Sequence, residues 1–311
     1  MQWDGVEGIH PLQGQGQGEG QICRDGSREF PPAAPPRDIP AHASRPRPGR
    51  PVSDTPLSSA PSPPETGHAP RARGLPLAVA EHSMVVGRTA RYATLGRPSA
   101  ELRELWYVCH GYGQLAGAFV RHFAVLDDGT RLVVAPEALS RFYVAADMSK
   151  HAEAPVGATW MTREARESEI ADYVAYLDAL HARITAEVAE AGADAGALAV
   201  RVLGFSQGAA TASRWVVRGS VRARDLVLWG GLLPADTGAP GRDVGAALGA
   251  LRITAVVGDR DEFGTPERLA EQEALLGRLG LEYRRRGFAG GHRLDRVTLA
   301  ALAADLRDGR W

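Results

Sequence analysis

Residues 203–210 read LGFSQGAA, a serine between two glycines where an apolar run ends. Ahead of it, ALAVRV (197–202) has the near-continuous apolar character of a buried strand. Behind it, AATASRWVVRG (209–219) reads as a helix that packs closely through small residues. A serine at such a corner is either a turn residue or a nucleophile. The stretch Gly204–Gly208 fits G-x-S-x-G, in which the nucleophile has strained backbone angles and side chains on either flank would collide. Held there, the Ser206 hydroxyl projects above the strand ends, and the N–H of Gln207 points where an oxyanion would form.

A serine hydroxyl is a weak nucleophile without a base, and the base needs an acid to orient it. Of nine histidines only His292 follows Ser206, in the glycine loop FAGGHRLD (288–295). The acid is expected between the two, at the end of a strand. ITAVVGDRDEF (253–263) supplies Asp259, Asp261 and Glu262 directly after an apolar run; Asp261 is the preferred candidate and Asp259 the alternative. CHGYGQ (109–114) follows an earlier strand-like run and has the glycine content of a loop that supplies a second oxyanion donor. Tyr112 N–H is the first candidate there and Gly113 the second, while His110 is read as a residue that stabilises the loop by hydrogen bonding.

Around these motifs the chain divides unevenly. Residues 1–76 hold 15 of the 21 prolines, with Gln-Gly repeats and no apolar periodicity, so residues 1–77 are expected to be a disordered tail. Residues 78–311 alternate strand-like and helix-like segments, as expected of one α/β domain: a mostly parallel central sheet with helices on both faces. SMVVG (83–87) and TARYATLG (89–96) read as an opening pair of strands. A long helix is expected after Met161, with Ile170, Val174, Leu177, Leu180 and Ile184 at helical spacing and Thr162 as its cap.

The formal net charge is −1 with acids and bases interspersed, so neither nucleic acid nor a membrane surface is an expected partner. No run approaches the length of a transmembrane helix, and no secretory signal opens the sequence; a cytoplasmic location is expected. Cys23 and Cys109 fall in the tail and in a buried strand, so no disulfide between them is expected. No metal-ligand spacing as specific as H-E-x-x-H occurs.

Taken in order, HGYGQ, GFSQGAA, GDRDEF and GGH resemble the acyl-protein thioesterase/carboxylesterase (phospholipase–carboxylesterase) group of the α/β-hydrolase superfamily, over roughly residues 80–311. The resemblance implies the α/β-hydrolase fold, a triad of Ser206, Asp261 and His292, oxyanion donors at Tyr112 and Gln207, ester or thioester substrates, and no metal or organic cofactor. It makes Glu137–Met161 a candidate lid. Phe142, Tyr143, Trp160, Met161, Leu232 and Leu233 become candidates for an acyl pocket, with ordinary core or lid packing as the alternative for each. Two positions depart from the family pattern: Ala209 stands where glycine is frequent, and Glu262 where proline often follows the acid. Two other functions fit the same residues. One is a peptidase or polyester depolymerase on the same fold; the other is a catalytically silent binding module, which loss of a triad member would have favoured.

Overall fold

The computed structural model describes residues 80–144 and 154–310. The tail expected over residues 1–77 lies outside the described residues, as does the middle of the candidate lid.

Among the described residues, seven strands form one sheet: β1 (Tyr92–Leu95), β2 (Glu104–Cys109), β3 (Arg131–Pro136), β6 (Ala199–Phe205), β7 (Asp225–Trp229), β8 (Arg252–Gly258) and β9 (Tyr283–Phe288). Their spatial order is β1-β3-β2-β6-β7-β8-β9, with β1 antiparallel to β3 and every other neighbour parallel. β2, β3 and β7 are buried along their whole length, as their unbroken apolar runs require when helices cover both faces. One face packs on α2 (Arg166–Glu190), α3 (Gln207–Arg218), α4 (Val244–Gly249) and α5 (Pro266–Arg278), through residues such as Tyr107, Leu177, Trp215, Leu248 and Leu276. The other packs on α1 (Ala116–Phe119), the 3-10 turn that continues it and α6 (Arg296–Arg307), through Trp106, Phe119, Phe123, Trp229 and Leu302.

At the amino ends of five adjacent strands the charges alternate. Arg131 on β3 donates to Glu104 on β2 (3.0 Å), and Glu104 also receives Arg201 of β6 (3.3 Å). Arg201 pairs in turn with Asp225 of β7, which takes Arg252 of β8 at 2.6 Å. The two carboxylates are thus each held between two guanidiniums, and the Trp106 indole N–H adds a bond to Glu104 at 2.8 Å. Such satisfaction is what allows these charges inside a sheet floor.

Three expectations need correction. SMVVG forms no strand: Met84, Val85 and Val86 are 82%, 93% and 67% exposed, and without burial nothing offsets the cost of ordering them as a strand. The irregular stretch before Met161 contains a two-stranded antiparallel hairpin, β4 (Ser140–Tyr143) with β5 (Val156–Thr159). Helix α2 begins after Ala165, a left-handed residue at φ 46°, and not at Thr162, whose hydroxyl instead accepts the Glu164 N–H in a local turn.

Candidate active site

Ser206 lies between the last residue of β6 and the first of α3 with φ 54° and ψ −119°, a conformation L-residues rarely adopt. Its N–H donates to Trp229 O on the neighbouring strand (2.8 Å) and its carbonyl accepts from Ala209 (3.0 Å), which pin the strained turn from both sides. A Cβ on Gly204 would collide with the backbone of Gly208 and Ala209, and one on Gly208 with the carbonyls of Cys109 and His110. Both glycines are therefore fixed by close helix–strand approach.

The loop after β8 carries Asp261, buried, and the loop after β9 carries His292. His292 Nδ1 lies 3.0 and 2.9 Å from the two Asp261 oxygens. A carboxylate accepts only, so Nδ1 is the donor of this pair. Asp261 Oδ1 also accepts the Phe263 N–H at 2.9 Å. Asp259 points elsewhere: its side chain is 63% exposed, pairs with Arg260 and accepts Gly290 N–H (2.8 Å), tying the two loops together. The imidazole is stacked over Phe205, the residue before the serine, at 4.9 Å, and Phe263 covers it edge-on at 4.6 Å. Among the described residues no hydrogen bond joins Ser206 to His292; the serine, Gly230 beside the imidazole and Phe263 line one cavity of about 390 Å³.

On the opposite side of Ser206, the loop after β2 is held by side chains. His110 is buried; its Nδ1–H donates to Gly111 O (2.8 Å) and its Nε2 accepts Ala138 N–H (3.1 Å). Burial holds its pKa below the ordinary value, so the imidazole stays neutral and keeps both bonds. The Gly111 N–H is taken by Gln114 Oε1 (2.8 Å) and the Gly113 N–H by Ala158 O (2.9 Å). That leaves the Tyr112 N–H as the uncommitted donor of this turn among the described residues. Gly113, the second candidate, is occupied. The Gln207 N–H begins α3 and has no partner within the helix.

Of the pocket candidates, Leu232 and Leu233 line the cavity. The other four lie outside it. Trp160 is buried and donates its indole N–H to His110 O (2.8 Å), so it braces the loop after β2. Met161 places its sulfur near Arg166 and Arg214. Phe142 stacks on Tyr112 (5.0 Å) and Tyr143 is exposed, both on the β4–β5 hairpin. Sequence reading missed the Gln207 side chain, which accepts Trp160 N–H (3.1 Å) and donates to Met161 O (3.0 Å), fastening the serine turn to the end of β5. Phe263 was missed too; an aromatic two residues after the acid was the available signal.

Among the described residues no group of three or more His, Cys, Asp and Glu could hold a metal ion, and no helix is long and apolar enough to cross a membrane.

No protein-family model matches the chain, and no curated protein matches it in sequence. Solved structures do. Acyl-protein thioesterase 2 of Zea mays superposes with a TM-score of 0.51 at 16% identity, over 71% of this chain and 99% of that one. The structure of YahD with malic acid superposes with a TM-score of 0.50 at 12% identity, again over 71% and 99%. The chain has the α/β-hydrolase fold. The expectation of fold class drawn from the strand and helix pattern and from the family resemblance therefore holds.

Proposed function

We propose that the protein is a serine hydrolase of carboxylic esters or thioesters. The observation that carries this reading is the Asp261-paired His292 beside the same cavity as a strained Ser206 whose flanks are glycine. In the reaction, Ser206 Oγ attacks the acyl carbonyl carbon while its proton passes to His292 Nε2. The carbonyl π pair becomes an oxyanion between the Tyr112 and Gln207 N–H groups. Collapse breaks the bond to the alcohol or thiol, which leaves with the proton from His292. Water then repeats the sequence on the acyl-enzyme, with His292 as base, and releases the carboxylic acid and free Ser206. Asp261 holds the imidazole in the productive tautomer throughout. No metal or organic cofactor enters any of these steps. The likeness of the fold to an acyl-protein thioesterase is in keeping with this chemistry.

The test is hydrolysis of p-nitrophenyl esters of increasing chain length by wild type and Ser206→Ala. Loss of about a thousandfold or more in kcat with unchanged folding supports the serine mechanism. A wild type inert on every ester would return the molecule to the binding-module reading, and an equally active variant would remove Ser206 as the nucleophile.

A further inference from the structure

We propose that the cavity beside Ser206 selects short acyl groups that end in a carboxylate, and that Arg268 is the residue that binds that carboxylate. The inference rests on the ester-hydrolase reading above and adds the charge of its substrate. At about 390 Å³ the cavity is at the small end of the ~300–1,000 Å³ range of ligand sites, and a sphere of that volume is about 9 Å across. An acyl chain of about six carbons spans such a cavity.

The walls are of unlike character. Leu232, Leu233 and Phe263 are apolar, whereas α5 contributes Arg268 and, one turn on, Glu271. Arg268 lies in the first turn of α5, where the helix dipole disfavours a cation, so helix stability does not account for it. Its Nη1 donates to Phe263 O (3.1 Å), which tethers the guanidinium to the loop whose ring covers His292. Among the described residues it makes no ion pair, in contrast to Arg131, Arg201, Arg214 and Arg252, each of which meets a carboxylate. One of its five N–H donors is used; the rest are free for a planar, bidentate acceptor. Glu271 likewise makes no ion pair among the described residues and borders the same cavity, and both side chains are exposed. A carboxylate at the chain end gives Arg268 a bidentate partner over an apolar middle.

The experiment compares kcat/KM for two p-nitrophenyl esters of equal chain length, the neutral hexanoate and the anionic adipate half-ester, with Ser206→Ala as the blank for spontaneous hydrolysis. Wild type is expected to favour the half-ester about tenfold or more at low salt, and the preference should shrink toward unity as KCl rises through the range in which charges are screened. Arg268→Gln should lower the half-ester to hexanoate ratio by about tenfold or more, and Arg268→Lys should restore part of it. Glu271→Gln should raise the ratio. A wild type that favours hexanoate, or a ratio that Arg268→Gln leaves where it was, overturns the charge selection while the esterase reading stands. Silence toward both esters overturns both.

Discussion

The Phe263 ring stands edge-on to the imidazole of His292, 4.6 Å between ring centres and 63° between planes, while the same residue's N–H donates to Asp261 at 2.9 Å. One side chain thus borders His292 and its backbone borders Asp261. It is also 45% exposed, a cost that a purely structural aromatic would avoid by turning inward. Phe263→Ala frees the outer face of the imidazole, and a small misorientation of a base is expensive. We expect kcat to fall about tenfold to a hundredfold, with Phe263→Tyr recovering most of it. A rise in KM alone, with kcat intact, would assign the ring to the cavity wall only.

The choice of acid is separable by substitution. Asp261→Asn removes the acceptor that fixes the His292 tautomer and should cost about 10⁴-fold in kcat. Asp259→Asn weakens only the bond to Gly290 and should cost less than about tenfold. Parallel steady-state kinetics of the two variants decide it.

His110 holds the loop after β2 through its ring. His110→Ala leaves the buried Ala138 N–H without an acceptor and frees the Gly111 carbonyl, so stability should drop by about 1–3 kcal/mol. Because Tyr112 follows directly, kcat should fall more than KM rises. Urea unfolding and kinetics on the same preparation separate the two effects.

The charge ladder under the sheet predicts acid sensitivity with a definite sign. Burial by itself would raise the Glu104 carboxyl; the Trp106 N–H and the Arg201 and Arg131 guanidiniums overcome it and hold the group below its ordinary 4.5. With the folded pKa below the unfolded one, its stabilisation is fully present above about pH 4.5 and is lost as pH falls through the folded value. Glu104→Gln takes one carboxylate from two buried guanidiniums, Arg201 keeping Asp225 and Arg131 keeping Asp128, and should cost about 3 kcal/mol at pH 7. The gap between variant and wild type should narrow in acid, which denaturant melts from pH 7 down to pH 3 would show.

A Cβ at Gly204 has nowhere to go, since backbone of the following helix fills its place. Gly204→Ala should destabilise by about 3 kcal/mol or more, read as a fall in thermal midpoint. An alanine accepted without loss would mean that the strand and helix separate readily at the serine turn.

Much of this protein was determined by local sequence. Apolar runs closed by glycine or proline marked β2, β3, β6, β7 and β8, because a strand buried on both faces needs no alternation. G-x-S-x-G marked the serine corner because the steric demand is satisfied by neighbours in the chain. Order along the chain was enough to single out His292. Only the tertiary structure shows that Asp261 meets His292 while Asp259, two residues earlier in the same turn, meets Gly290, because that pairing depends on a loop 31 residues later. It also decided that Trp160 braces the loop after β2 and that SMVVG, strand-like in composition, forms no strand. The ladder of Arg131, Glu104, Arg201, Asp225 and Arg252 shows the reason most plainly. Along the chain these charges follow no pattern, and they alternate in sign only once the strands lie in the order β3-β2-β6-β7-β8. Strand order is set by long-range burial, and local spacing carries no record of it.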